Sequence, residues 1–295
     1  MHTNMLDRIT RDERATKALF GLGMAKLEEL GQDIERLRGR ELERREGRKR
    51  KFGGGRRGNI PGGRQKAAFI LFYLKVYPTF DVLCAVSGIN RGECCRWAHR
   101  LMPLLEKALG RRVMLPKRKI RSVEEFRAAF PQAGEVCFDG MERPRQRPGK
   151  RSSDRKHFSG KRKRHMQKAI VGTQGRHIGY LGPSKRGARH DKRLLDQRRL
   201  MPFIPPNVSV LLDSGFQGVR HPGACLPHKA TKKRPLTGEQ RQWNKLLASL
   251  RVEVEHAIGG MKRLGAVAGV YRNRIPNTHD RLNLLAAGIW NYFIA

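Results

Sequence analysis

The sequence predicts a mixed α/β layer fold preceded by an all-helical region. Three observations predict it. Apolar residues recur at helical spacing over residues 12–45 and again over 66–109. Beyond Pro116, short apolar runs such as "GEVCFDG" and "NVSVLLDSGF" have the composition of strands and are separated by helical stretches. A long amphipathic pattern, "GEQRQWNKLLASLRVEVEHAIGGMKRL", then follows. Strands, a helix, a strand and a long helix are the order of a sheet with helices layered on it.

Taken in order, "ATKALFGLGMAKLEELGQDIERLRGRELERR" puts Leu19, Met24, Leu27, Leu30, Ile34 and Leu37 on one stripe. It reads as one helix over 12–45 that packs on the rest of the chain or on a second copy. The next stretch, "GRKRKFGGGRRGNIPGGR", is Gly-rich and basic with no apolar period, as in a linker or arm. Such arms enter minor grooves or lie along phosphates; an inert solvated tether has the same composition. "KAAFILFYLKVY" reads as a helix, and Pro78 and Thr79 open the next, "FDVLCAVSG". Gly88 ends it, and Asn90 caps "RGECCRWAHRLMPLLEKAL". This is the spacing of a helix-turn-helix unit. Arg91, Glu93 and Arg96 then face outward, where they could enter a major groove, although such units also serve purely structural roles. The expected organisation is a helical region over 1–46, the basic arm over 47–65, a helix-turn-helix DNA-binding domain over 66–112 and an α/β domain over 113–295.

The chain has 63 Lys+Arg against 26 Asp+Glu, a net charge of +37. That calls for a polyanionic partner, nucleic acid first and an anionic membrane second. No apolar run approaches the roughly 18 residues of a spanning helix. The N-terminus lacks a signal-peptide apolar core, so an intracellular protein with no membrane partner is expected. The five cysteines are odd in number and form no CxxC pair, which fits small buried residues better than disulfides or a thiolate zinc site. His165, His190 and His256 form no HxxxH or HExxH pattern.

Against this basic background, a few acids stand out. Asp139 follows Val136-Cys137-Phe138 and Asp213 follows Val210-Leu211-Leu212, each expected at the C-terminal end of a strand, where sites form in α/β sheets. One such Asp is unremarkable, since Asp near Gly is a common turn. A helical Glu adds to the pair. Arg251, Glu255 and Lys262 fall within about 40° of one another on the helix, while Glu253 lies about 160° round from Glu255. Leu247, Leu250, Val254, Ile258 and Met261 form the apolar stripe beside them. Three carboxylates from separate elements suit Mg²⁺, and two such ions can activate a water or a 3′-hydroxyl against a phosphodiester. Arg251 and Lys262 would then hold phosphates. The basic run Lys161, Arg162, Lys163 and Arg164 reads as phosphate contact, with a solvated sheet edge as the plain alternative. Asp191 reads as an N-cap, Glu142 as a supporting acid or a chance neighbour of Asp139, and Trp243 and Trp290 as core.

The stretches "FDGMERPRQRP", "HFSGKRKRHMQKAIVG", "RHDKRLLDQ", "LLDSGFQG" and "RVEVEHAIGGMKRLGAVAGVYRNR" resemble the bacterial insertion-sequence transposases of the DDE type, in the group related to Harbinger transposases. The similarity covers about residues 66 to 290. The last stretch is the most specific: of the family's Y-x2-R-x3-E-x6-K pattern, Arg251, Glu255 and Lys262 hold the last three places, and Ala248 departs from the Tyr. The resemblance implies a ribonuclease H-like catalytic domain with Asp139, Asp213 and Glu255 as its catalytic and metal-binding triad. It implies two Mg²⁺ (or Mn²⁺) ions, and double-stranded DNA as partner: the element's terminal inverted repeats and a target. It implies DNA cleavage and strand transfer in the bacterial cytoplasm, at the nucleoid. Coordinated cutting of two ends calls for a homodimer at least. A transposase-derived regulator without activity is the alternative, and loss of one acid would have favoured it. A general RNA-binding protein would explain the charge but not the placed carboxylates.

Overall fold

A computed structural model describes residues 5–44, 59–131, 133–149, 151–273, 275 and 278–295. Most of the expected basic arm lies outside these residues. The helical region comprises α1 (Met5–Ile9), α2 (Glu13–Phe20), α3 (Met24–Glu43), α4 (Gly63–Val76), α5 (Phe80–Ser87) and α6 (Arg91–Arg111). The single helix expected over 12–45 is two helices, because Gly21 takes a left-handed conformation that closes α2 (φ 82°). Thr79 and Asn90 cap α5 and α6, accepting from the Val82 and Glu93 N–H groups, and Gly88 ends α5 in the left-handed region. The stripe of α3 packs within the chain: Leu27, Leu30, Ile34 and Leu37 are buried in one core with α4 and α6. The approach of α3 to α4 is close, since a Cβ on Gly63 would lie 2.2 Å from the Gly31 carbonyl oxygen.

After α7 (Val123–Ala129) the chain enters the sheet with β1 (Glu135–Pro144). Then come α8 (Arg151–His157), β2 (Phe158–Ser159), β3 (Arg164–Gln174), β4 (His177–Leu181), β5 (Lys185–Arg186), α9 (Asp191–Asp196), β6 (Ser209–Leu211) and β7 (Ala224–Cys225). The chain closes with α10 (Gly238–Lys262), α11 (Gly265–Ala268) and α12 (Thr278–Ile294). β3 runs antiparallel to β1 on one side and to β4 and β5 on the other, while β1, β6 and β7 are parallel neighbours. Alternation along β1 divides the core. Cys137 and Met141 face the cluster shared with α10 and α12, and Val136 and Phe138 face the one shared with α7 and α9. Trp290 is buried as expected, but Trp243 and Leu250 are exposed. Among the described residues no helix is long and apolar enough to cross a membrane.

Asn291, buried on α12, fastens that helix to the sheet. Its amide accepts from the Ile178 N–H (2.9 Å) and donates to the Ile178 and Met114 carbonyls (both 2.9 Å). Asn291→Leu would leave three backbone groups unpaired, so a loss of at least about 2 kcal/mol is expected. Urea denaturation of the variant beside the parent checks it.

Candidate active site

Strand register brings the two aspartates together. β1 and β6 run parallel with Cys137 beside Leu211. β6 stops there, and two residues further along each chain lie Asp139 and Asp213. Asp139 is therefore in the middle of β1 rather than at its end, as the sequence suggested. β1 continues to Pro144 against β3, and the strand end that opens the site belongs to β6. Beyond Cys137 that edge of β1 is free, so Asp139 and Glu142, on opposite faces of the strand, both reach the space beyond it. Asp213 opens a short 3-10 turn and accepts from the Gly215 N–H at 2.7 Å; Asp139 accepts from the Gly140 N–H at 2.6 Å. α10 packs across this part of the sheet and supplies Glu255, with Arg251 one turn before it and Lys262 two turns after.

All of these line one cavity of about 400 Å³. Lys161 and Arg162 line it too. Lys163, in the turn with φ 49°, and Arg164, at the start of β3, are not among its lining residues. Arg91 and Arg96 sit on α6 outside this cavity, paired with Asp81 (3.1 Å) and Glu93. Glu253 is held outside the cavity by Arg176, whose Nε donates to Oε2 at 2.8 Å.

Three further residues complete the cavity: Glu142, which the sequence left as a supporting acid or a chance neighbour, Asp191, which it read as an N-cap, and Lys168, which it passed over. Glu142 is saturated: Ser159 Oγ donates to it (3.1 Å), Arg162 Nε donates to it (3.3 Å), and Lys168 Nζ lies 3.4 Å away. Lys168, nearly buried, also reaches Asp191 Oδ1 at 3.1 Å. Asp191 is not an N-cap. His190 holds that place, and Asp191 is the first residue of α9. Its carboxylate lies over Gly140, where a Cβ would come within 2.5 Å of Oδ1. The sequence signal was Gly140 itself, since a glycine inside a strand marks a close approach.

Burial pushes the Asp139 carboxyl up to about 6; the Gly140 N–H and Arg251, 3.8 Å away, oppose that, and the Asp213 and Asp191 charges add to it. Burial also lowers the Lys262 ammonium, with Arg162 adding to it and Glu142 and Asp139 pulling it back up. A cation bound among these acids would relieve their repulsion, and carboxylate oxygen is the donor type that Mg²⁺ and Mn²⁺ prefer. The donors fit such an ion in kind. Among the described residues, however, no three of them close on a single point at ligand spacing. Holding an ion therefore requires side-chain movement, which the exposed Glu255 is free to make.

Residues 138–291 match the family model of the DDE superfamily endonucleases. The chain is 30% identical over 230 residues to a probable transposase for insertion sequence element IS702 from Microchaete diplosiphon, covering 77% of this chain and 79% of that protein. No solved structure matches the chain significantly. The matched span opens one residue before Asp139 and runs through Glu255 into the last helix, and on these two likenesses the chain belongs to the DDE superfamily of endonucleases, among its insertion-sequence transposases.

Proposed function

We propose that this chain cuts DNA at the ends of its own element and joins the freed ends to a target, with Asp139, Asp213 and Glu255 holding two divalent metal ions. The observation that carries this reading is the convergence of those acids, from three separate elements, on one cavity rimmed by Lys161, Arg162, Arg251 and Lys262. The order β4-β3-β1-β6-β7, with only β3 running against the rest, supports a ribonuclease H-like catalytic unit. When bound, the ions activate the attacking oxygen and stabilise the leaving one. The chain's own part is positional. Arg251 and Lys262 hold phosphate oxygens on the face of α10 that carries Glu255. Arg162 and Lys168 hold Glu142, and Lys168 also holds Asp191. Duplex binding falls to α4–α6, with Arg91 and Arg96 available because their exposed ion pairs are weak and exchange readily for phosphates. Cutting two ends together would take two copies of the chain.

The test is incubation of the purified protein with a duplex carrying the element's terminal repeat, in Mg²⁺ and in EDTA. Cleavage at the repeat boundary in Mg²⁺ alone is expected; a protein that binds the repeat but never cuts it in either condition would sink the reading. A further result is expected of Asp191→Asn. Its carboxylate touches the site through Lys168 and Gly140, so cleavage should fall about 10- to 100-fold rather than vanish. Initial rates across a Mg²⁺ titration measure it.

A further inference from the structure

Between β7 and α10 the chain carries a basic segment that the catalytic reading leaves unused. Residues 229–245 hold Lys229, Lys232, Lys233, Arg234, Arg241 and Lys245 against one acid, Glu239. All six cations are exposed. Among the described residues none of them is ion-paired, although Arg91, Arg96, Arg147 and Arg176 each find a carboxylate from equally open positions.

The segment is nevertheless held in shape. Thr231 and Arg234 exchange backbone hydrogen bonds at 3.0 and 3.1 Å, and Thr231 Oγ1 also accepts from the Arg234 N–H, closing a tight turn with Lys232 and Lys233 at its tip. The stem before the turn is pinned to α10. Trp243 Nε1 donates to the Leu226 carbonyl at 3.1 Å, and the Asn244 amide both accepts from the His228 N–H (2.8 Å) and donates to the His228 carbonyl (2.9 Å). The stem after it ends in a capping box between Thr237 and Gln240, with Arg241 donating to the Leu236 carbonyl. Ordering a loop costs conformational entropy, and holding like charges together costs more. A solvated loop gains nothing from either. A preorganised cluster facing a polyanion gains affinity, because the cost is met before binding.

Its charge suits a polyanion, and its place at the start of α10 sets how far along a duplex laid on that helix the contact would fall. Gly238 and Glu255 are seventeen residues apart on α10, roughly 25 Å at the rise of an α-helix. That is about seven base pairs of duplex. We propose that the Thr231–Arg234 turn and the first turns of α10 form a second DNA contact. It grips the phosphate backbone about seven base pairs from the scissile bond without reading sequence. The proposal rests on the nuclease reading above, since the cavity at Glu255 fixes where the cut lies.

The experiment uses full-length protein in which Lys229, Lys232, Lys233 and Arg234 are all alanine. The probes are end-labelled terminal-repeat duplexes extending about 15 base pairs beyond the cut on both sides, or about 15 on one side and only about 3 on the other, with each side shortened in turn, read by anisotropy across a salt series. On the long probe the variant should bind about 10- to 100-fold more weakly, with a slope of log K against log salt smaller by about 3. On one of the two shortened probes it should match the parent. Asn244→Ala keeps every charge but frees the stem, so it should weaken the long probe by less and leave the slope unchanged. It also carries the test if the fourfold variant melts early. Equal loss on the long probe and on both shortened ones, or no loss on the long one, overturns the proposal. Parent cleavage of the long probe in Mg²⁺ is measured alongside. If the parent does not cut, the nuclease reading fails; if it cuts and the variant binds normally, only the turn fails.

Discussion

Replacing Glu255 with glutamine is expected to abolish Mg²⁺-dependent cleavage, by at least about 10³-fold, while Glu253→Gln keeps most of it. The two residues are neighbours in sequence and strangers in space. Glu255 lines the cavity with Asp139 and Asp213, and Glu253 pairs with Arg176 at the β3–β4 turn. A neutral amide at 255 would leave the site one charge short against two divalent ions. At 253 the loss is one exposed ion pair, worth under about 1 kcal/mol. Cleavage of intact and pre-cut ends by both variants, with thermal melts to establish folding, decides the matter. A folded, inactive Glu253→Gln beside an active Glu255→Gln would mean that the roles of the two acids are reversed.

The placement of this site was partly legible because helix periodicity is local. Four and seven residues fix that Arg251, Glu255 and Lys262 share a face, and no tertiary fact can alter that while α10 is a helix. Caps were legible for the same reason: Thr79, Gly88 and Asn90 act on groups within a few residues of themselves. What escaped was whatever depends on register between distant segments. Asp139 looked like a strand end because Gly follows it, yet the strand runs on to Pro144 while its partner β6 stops. Asp191 looked like a cap because it opens a helix; only the approach of α9 to Gly140 gives it a place in the cavity. Lys168 stood in a basic run among other cations. Nothing local singles it out as the one that is buried between two carboxylates. Trp243 was read as core, but it is exposed and its indole donates to the Leu226 carbonyl, at the stem of the basic turn.

Asp139→Asn and Asp213→Asn should each remove both cleavage and strand transfer, again by at least about 10³-fold, and leave binding to the terminal repeat within about threefold of the parent. On the proposed reading the two effects separate, because duplex would be held by cations on α6, on α10 and in the 229–245 segment, and neither aspartate can attract a phosphate. Amide substitution preserves shape. The amide oxygen introduced at position 213 could still accept from the Gly215 N–H, and the one at position 139 from the Gly140 N–H, so the turns at both positions should survive. Removing the Asp139 charge should even favour the metal-free fold, since burial makes that charge costly. The checks are a mobility-shift titration in Ca²⁺, a cleavage assay in Mg²⁺ and Mn²⁺, and a melt in EDTA. Asp139→Asn should melt no lower than the parent in EDTA and lose the rise in melting temperature that the parent gains from Mn²⁺. A variant that retained that rise and still cut DNA would show that Asp139 holds no metal, and the assignment of the triad would have to be abandoned.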